Sequence, residues 1–151
     1  MRWSWRIACG LCFLCGCASA ASPFSDPATI TYAPALQVDL AAARLHQSGI
    51  YIQDTRIGNG AEARVRSQVQ LHYTLHLPDG KEVQTTRNSQ PLGVTLDDPR
   101  FLIGVAIVGM RVGGVRKLVV APNRGYGSAG VPGLVPPNTT LVFDVELIAV
   151  Q

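Results

Sequence analysis

His72 and His76, four residues apart in VQLHYTLHL, are the first side chains in this 151-residue chain whose type and spacing suggest chemistry. Imidazole pairs hold metal ions, but this stretch alternates like a strand. Its two histidines would share a face about 13 Å apart at ~3.3 Å per residue, too far to chelate one ion. A solvated outer face accounts for them better. His46 stands alone. Gly127 and Gly130 suit loop geometry rather than phosphate binding, since no strand, glycine loop and helix follow in order. Tyr73 and Tyr126, taken by themselves, read as ordinary half-buried tyrosines. Arg64, Arg66, Arg116 and Lys117 read as a solvated sheet surface.

Cysteine chemistry is confined to one place. Cys9, Cys12, Cys15 and Cys17 all lie within MRWSWRIACGLCFLCGCASA, the first twenty residues. Two arginines, a short apolar run and small residues in that order form a secretory leader, too short to span a bilayer as a stable helix. Residues 1–17 read as this signal peptide. LCGC at 14–17 resembles the bacterial lipobox, which implies acylation of Cys17 as the mature N-terminus and a membrane-surface anchor. Cys15 departs from the small or aliphatic residue usual there. The alternative is cleavage near Ala20, releasing a soluble exported protein. Either route places the chain in the periplasm or cell envelope. Loss of Arg2 and Arg6 with the leader leaves eleven basic against ten acidic residues, so charge gives no reason to expect nucleic acid.

Residues 18–47 read as a tether, with three prolines between 21 and 37 and a short helix conceivable over DLAAARLHQ at 39–47, capped by Asp39. From residue 48 the pattern changes to strands. Val69, Leu71, Tyr73, Leu75 and Leu77 share one face, and Pro78-Asp79-Gly80 turns the chain into KEVQTT. VRKLVVAP at 115–122 and TLVFDVEL at 140–147 give further strands; in the last, Leu141, Phe143, Val145 and Leu147 face one way. Asp97-Asp98-Pro99 followed by Ile103, Ile107 and Met110 predicts one short helix over PRFLIGVAIVGM, apolar nearly all round and so wrapped by sheet. The class is α+β: a curved antiparallel sheet of about five strands around one short α-helix.

LHYTLHLPDGKEV, GMRVGGVRKLVVAP, RGYGSAG and VPGLVPPNTTLVFDVEL occur in the order and near the spacing of the FKBP-type peptidyl-prolyl isomerases. On these pieces residues 48–151 are identified as a member of that family. The resemblance implies a shallow apolar pocket between sheet and helix, where a prolyl amide sheds water and rotates without nucleophile, metal or cofactor. It implies Tyr73 and Phe143 as walls and Tyr126 as donor to a ligand carbonyl. The rigid loop with Val131 and Leu134 would overhang the pocket, and Leu92 would stand where the family usually has Phe. Val83 and Gln84 replace the usual Phe-Asp pair, with Gln84 within hydrogen-bonding reach of Tyr73. The family's floor Trp is missing. Ile103 takes its place counting back from Met110, Val105 counting forward from Leu96; Phe101, Leu102 and Ile103 are candidate backbone-amide donors.

Two readings follow. The first is an isomerase that assists folding of exported proteins by acting on their proline-containing segments, weakened by the lost Trp and Phe-Asp, with weak macrolide binding. The second is an FKBP-fold chaperone or peptide-binding module of the envelope.

Overall fold

The computed structural model describes residues 26–151. The leader, Cys17 and the cleavage positions fall outside the described residues. Seven strands form one antiparallel sheet: β1 (Arg44–Leu45), β2 (Ile50–Arg56), β3 (Gln68–His76), β4 (Glu82–Thr85), β5 (Leu92–Thr95), β6 (Val115–Val120) and β7 (Leu141–Val150). Their order is β1-β2-β6-β7-β3-β4, with β5 beside β3 next to β4. The expected curved antiparallel sheet around one helix is borne out, with the short β1 and β5 added to the strands read from the sequence.

Alternation decides which side chains meet. Leu71 and Leu75 of β3, Leu118 and Val120 of β6, and Leu141, Phe143, Val145 and Leu147 of β7 form one buried inner face. Ala106 and Ile107 of α1 (Gly104–Ile107), the only α-helical segment among the described residues, close over it together with the flanking Ile103 and Met110. This corrects the longer helix expected over PRFLIGVAIVGM. Asp98 does cap, but it caps a turn: its carboxylate accepts from Arg100 N–H, and its carbonyl accepts from Phe101 N–H. Gly109 at φ +85° ends the helix on the other side. Gly104 is required by contact, because a Cβ there would come within 2.5 Å of the Leu96 carbonyl oxygen.

Arg116 and Lys117 are not solvated. Arg116 is only 5% exposed. Its parity on β6 matches Leu118 and Val120, so it points into the core face. There its guanidinium grips Asp54 through Nε (2.6 Å) and Nη2 (3.1 Å), while Nη1 donates to the carbonyls of Ala106 (2.6 Å) and Val108 (3.3 Å). Lys117, on the opposite face and 6% exposed, pairs with Asp144. Arg64 and Arg66 are exposed, but in the connection between β2 and β3 rather than on the sheet surface expected for them.

That opposite face is covered. The segment expected as a tether runs, from residue 26 on, as a strap across the outer face of the sheet. Leu36 packs on Val119 and Val142, joined by Tyr32, Ala33, Val38, Leu40 and Tyr51. Backbone anchors hold its ends: Ala33 N–H donates to Pro78 O (2.8 Å), and Leu45 pairs with Tyr51 across β1 and β2. No helix forms over 39–47. Asp39 receives Ala41 and Ala42 N–H, but the chain turns and enters β1. Pairing along a strand edge wins over a helix too short to be stable alone. The histidines are also less open than expected: His72 meets Thr86 Oγ1 at 3.3 Å, and His76 lies 3.7 Å from Asp144.

Two variants test these supports. Leu36→Ala should destabilise the protein by about 2–3 kcal/mol, the cost of a buried leucine at a partly collapsible site, read by urea denaturation. Arg116→Met should cost about 2–4 kcal/mol, because helix carbonyls lose their donor while Asp54 keeps access to water.

Candidate active site

Five separated segments bring their side chains to one cavity of about 270 Å³. Tyr73 rises from β3 and Phe143 from β7, diagonal neighbours on the inner face because Leu75 is the residue opposite Phe143. Their rings lie 6.1 Å apart, tilted by 48°, a favourable aromatic spacing. Leu92, at the start of β5, and Phe101, Leu102 and Ile103, just before α1, complete the walls and floor. Ile103 is fully buried, whereas Val105 is 48% exposed and lines a different cleft. Of the two countings for the floor position, Ile103 is therefore the one inside the cavity.

Tyr126 enters from the loop after the 3-10 turn Pro122–Arg124. Its flanks are pinned: Gly125 N–H donates to Ala121 and Pro122 carbonyls, Gly127 N–H donates to Pro122 O, and Gly130 N–H donates to Tyr126 O at 3.0 Å. The hydroxyls of Tyr73 and Tyr126 have no hydrogen-bond partner among the described residues, which leaves them available to a ligand. Burial pushes the Tyr73 phenol above the ordinary 10.0, and the nearby Tyr126 adds to the rise. Of the three candidate amides, Phe101 N–H is engaged with Asp98 O at 3.0 Å. The N–H groups of Leu102 and Ile103 have no protein partner among the described residues.

Other expected residues stand elsewhere. Val131 and Leu134 line a neighbouring apolar cavity of about 390 Å³, with Leu77, Lys81 and the Pro132–Pro137 stretch. The loop is a tight hairpin in which Val131 N–H donates to Val135 O (2.8 Å), and Leu134, 53% exposed, stands near its tip. Val83 packs against the main core and Gln84 is exposed, with no hydrogen bond to Tyr73. The reason is a register shift: Leu75 faces Gln84 but His76 faces Glu82, so Val83 is an extra residue and the strand twists.

One lining residue carried no expectation. Arg100 borders the cavity, held by Asp98 through Nε (3.1 Å) and Nη2 (2.9 Å). Those hydrogen bonds hold the Asp98 carboxyl below its usual range. Only the spacing Asp-Pro-Arg hinted at it, as a turn signal.

The cavity thus offers an apolar floor, two aromatic walls and a few donors, without a poised nucleophile. Comparison with known proteins gives the family. Residues 60–148 match the family described as FKBP-type peptidyl-prolyl cis-trans isomerase. An FK506-binding protein of Neisseria meningitidis serogroup B is 37% identical over 105 residues, covering 68% of this chain and 96% of that one. FK506-binding protein 4 of Chaetomium thermophilum is 33% identical over 105 residues, where the match spans 68% of this chain but only 22% of the relative. The crystal structure of a peptidyl-prolyl cis-trans isomerase from Pseudomonas syringae pv. tomato superposes with a TM-score of 0.65 at 31% identity, covering 73% of this chain and 81% of that one.

The Tyr73 environment makes a testable claim about alkaline pH. Its folded pKa is raised, so the stability it contributes is complete below the unfolded value of 10.0 and is lost as pH climbs through the folded one. Phenolate absorbance should show two tyrosines ionising late, Tyr32 and Tyr73, both raised mainly by burial, and Tyr73→Phe should remove one of the two. In Tyr126→Phe the Tyr73 step should shift partway back toward ordinary.

Proposed function

Because the chain belongs to the FKBP-type peptidyl-prolyl cis-trans isomerase family, we propose that the aromatic cavity is where it turns an X–Pro amide of an exported client protein. The observation that carries this is the convergence of Tyr73, Ile103, Tyr126 and Phe143 on one apolar hollow.

The chemistry asks little of the protein in covalent terms. Partial double-bond character sets a barrier of roughly 18–20 kcal/mol. The isomers themselves differ by only about 0.5–1 kcal/mol, so catalysis lowers the barrier and leaves the equilibrium alone. The twisted transition state has lost amide resonance and is less charge-separated than either planar isomer. A dry cavity disfavours the planar forms more than the twisted one. Ile103 receives the proline ring, with Tyr73 and Phe143 beside it. A hydrogen bond to the rotating carbonyl would strengthen resonance and slow the reaction. The Tyr126 hydroxyl and the free Leu102 and Ile103 amides therefore act on neighbouring client carbonyls, fixing the chain while one bond turns.

Isoleucine and leucine at the floor and at Leu92 bury less surface than the family's Trp and Phe, so turnover and macrolide affinity are both low relative to the family. The apolar cavity under Val131 and Leu134 favours a second reading, in which the same domain also holds client segments as a chaperone. The leader and the lipobox-like LCGC support an envelope location for this reading, with the chain anchored at Cys17 or free after cleavage near Ala20. No helix among the described residues is long and apolar enough to cross a membrane.

The test is an exchange or protease-coupled assay on X–Pro peptides. Phe143→Ala should cut kcat/KM by about tenfold or more, since an aromatic wall is lost. Tyr126→Phe should cost about three- to tenfold, the worth of one neutral hydrogen bond. Wild-type protein that is folded yet no faster than the spontaneous rate removes the isomerase reading and leaves the chaperone.

A further inference from the structure

We propose that a second cleft beside the aromatic cavity binds the client residues flanking the isomerised proline, seating one apolar side chain against Leu102 and Val105. The inference rests on the isomerase reading above and assigns that site its longer substrate.

The two hollows share a boundary. Phe101 and Leu102 line both, so this short stretch forms a ridge with the aromatic cavity on one side and the second cleft on the other. The second cleft is the larger, at about 430 Å³ against about 270 Å³. Ile50 and Leu96, both buried, supply its apolar base. An extended chain advances ~3.3 Å per residue and alternates its side chains, so a client leaving the cavity crosses a ridge formed by two adjacent residues, Phe101 and Leu102, within a few residues.

Surface composition points the same way. Eight large apolar side chains are exposed among the described residues, and Leu102, Val105, Tyr126 and Leu134 all stand at the cavity, the ridge or the neighbouring loop. The other four, Leu45, Ile57, Val65 and Ile148, lie on four different segments. Three of the eight, Leu102, Val105 and Tyr126, line the two adjoining hollows, and exposed apolar groups gathered in this way mark a contact surface.

Charge narrows the occupant. Asp98 is held by Arg100 at 2.9 Å and Asp97 by Arg66 at 3.5 Å. The Arg124 guanidinium, from another segment lining the cleft, has no ion pair or hydrogen bond among the described residues. The one uncompensated charge in the cleft is therefore positive. An acidic client residue beside the apolar anchor is preferred, and lysine or arginine there is disfavoured.

The experiment compares a tetrapeptide containing X–Pro with versions lengthened by about four residues on either side, each extension carrying Leu and Glu. Extension on one side should raise kcat/KM about tenfold, the gain from burying a leucine-sized side chain. Val105→Asp should abolish that gain and leave tetrapeptide turnover unchanged, with Val105→Ser as a second variant should the first not fold. Arg124→Glu should reverse the preference for Glu over Lys in the extension. Equal kcat/KM for all three lengths, or a gain that survives Val105→Asp, overturns the proposal. If no peptide is turned over, the isomerase reading fails by itself. The cleft is then tested by amide NMR shifts at Leu102, Val105 and Arg124, which the lengthened peptide should move and the tetrapeptide should not; unmoved shifts overturn it.

Discussion

A helix of four residues makes too few internal hydrogen bonds to persist by itself, yet α1 and the turn before it carry the floor of the cavity. Arg116 resolves this. From the sheet's inner face it reaches Asp54 on β2 with one edge of its guanidinium and the last helix carbonyls with the other. A cation on an apolar face is expensive unless every donor is used. Here that requirement ties sheet, helix and β2 into one unit. Ile103, immediately before α1, is placed by that unit and by the close approach of Gly104 to Leu96.

The cavity that results is shallow and modestly aromatic. Two rings come from the sheet and stay fixed with it, while Tyr126 is held by a loop whose backbone bonds are nearly all local. Rigid walls suit a reaction in which the bond itself does the moving. On the proposed reading, the site needs only to exclude water and keep neighbouring carbonyls still. The proposed client cleft beyond Leu102 would extend the same logic from one amide to the chain that contains it.

The strap over the outer face changes how the domain is bounded. Val119 and Val142 point away from the main core, and without Leu36 and its neighbours they would be bare. The folded unit therefore includes the proline-rich segment from residue 26, beyond the matched family region, which begins at residue 60. Prolines in this segment lower the entropy lost on docking, since their φ angles are already set.

Strand parity made much of this legible in the sequence. The inward positions of Tyr73 and Phe143 follow from period-two alternation, which is local, and motifs on separate pieces pointed to the FKBP-type family. Arg116 was read from its charge as solvated surface, and its inward position becomes clear only once its buried partners are known. Asp54 and Ala106 are distant in sequence or belong to another element. Val83 and Gln84 were misplaced because a bulge adds one residue silently, and no residue type marks it. The choice of Ile103 over Val105 depended on where a helix starts, which the close packing of Gly104 on Leu96 decides. Local periodicity and motif, in short-range chemistry, determined the strands, the family and the cavity's rings. Long-range contact alone decided the register, the floor and the docking of the strap, because those depend on which distant groups share a buried space.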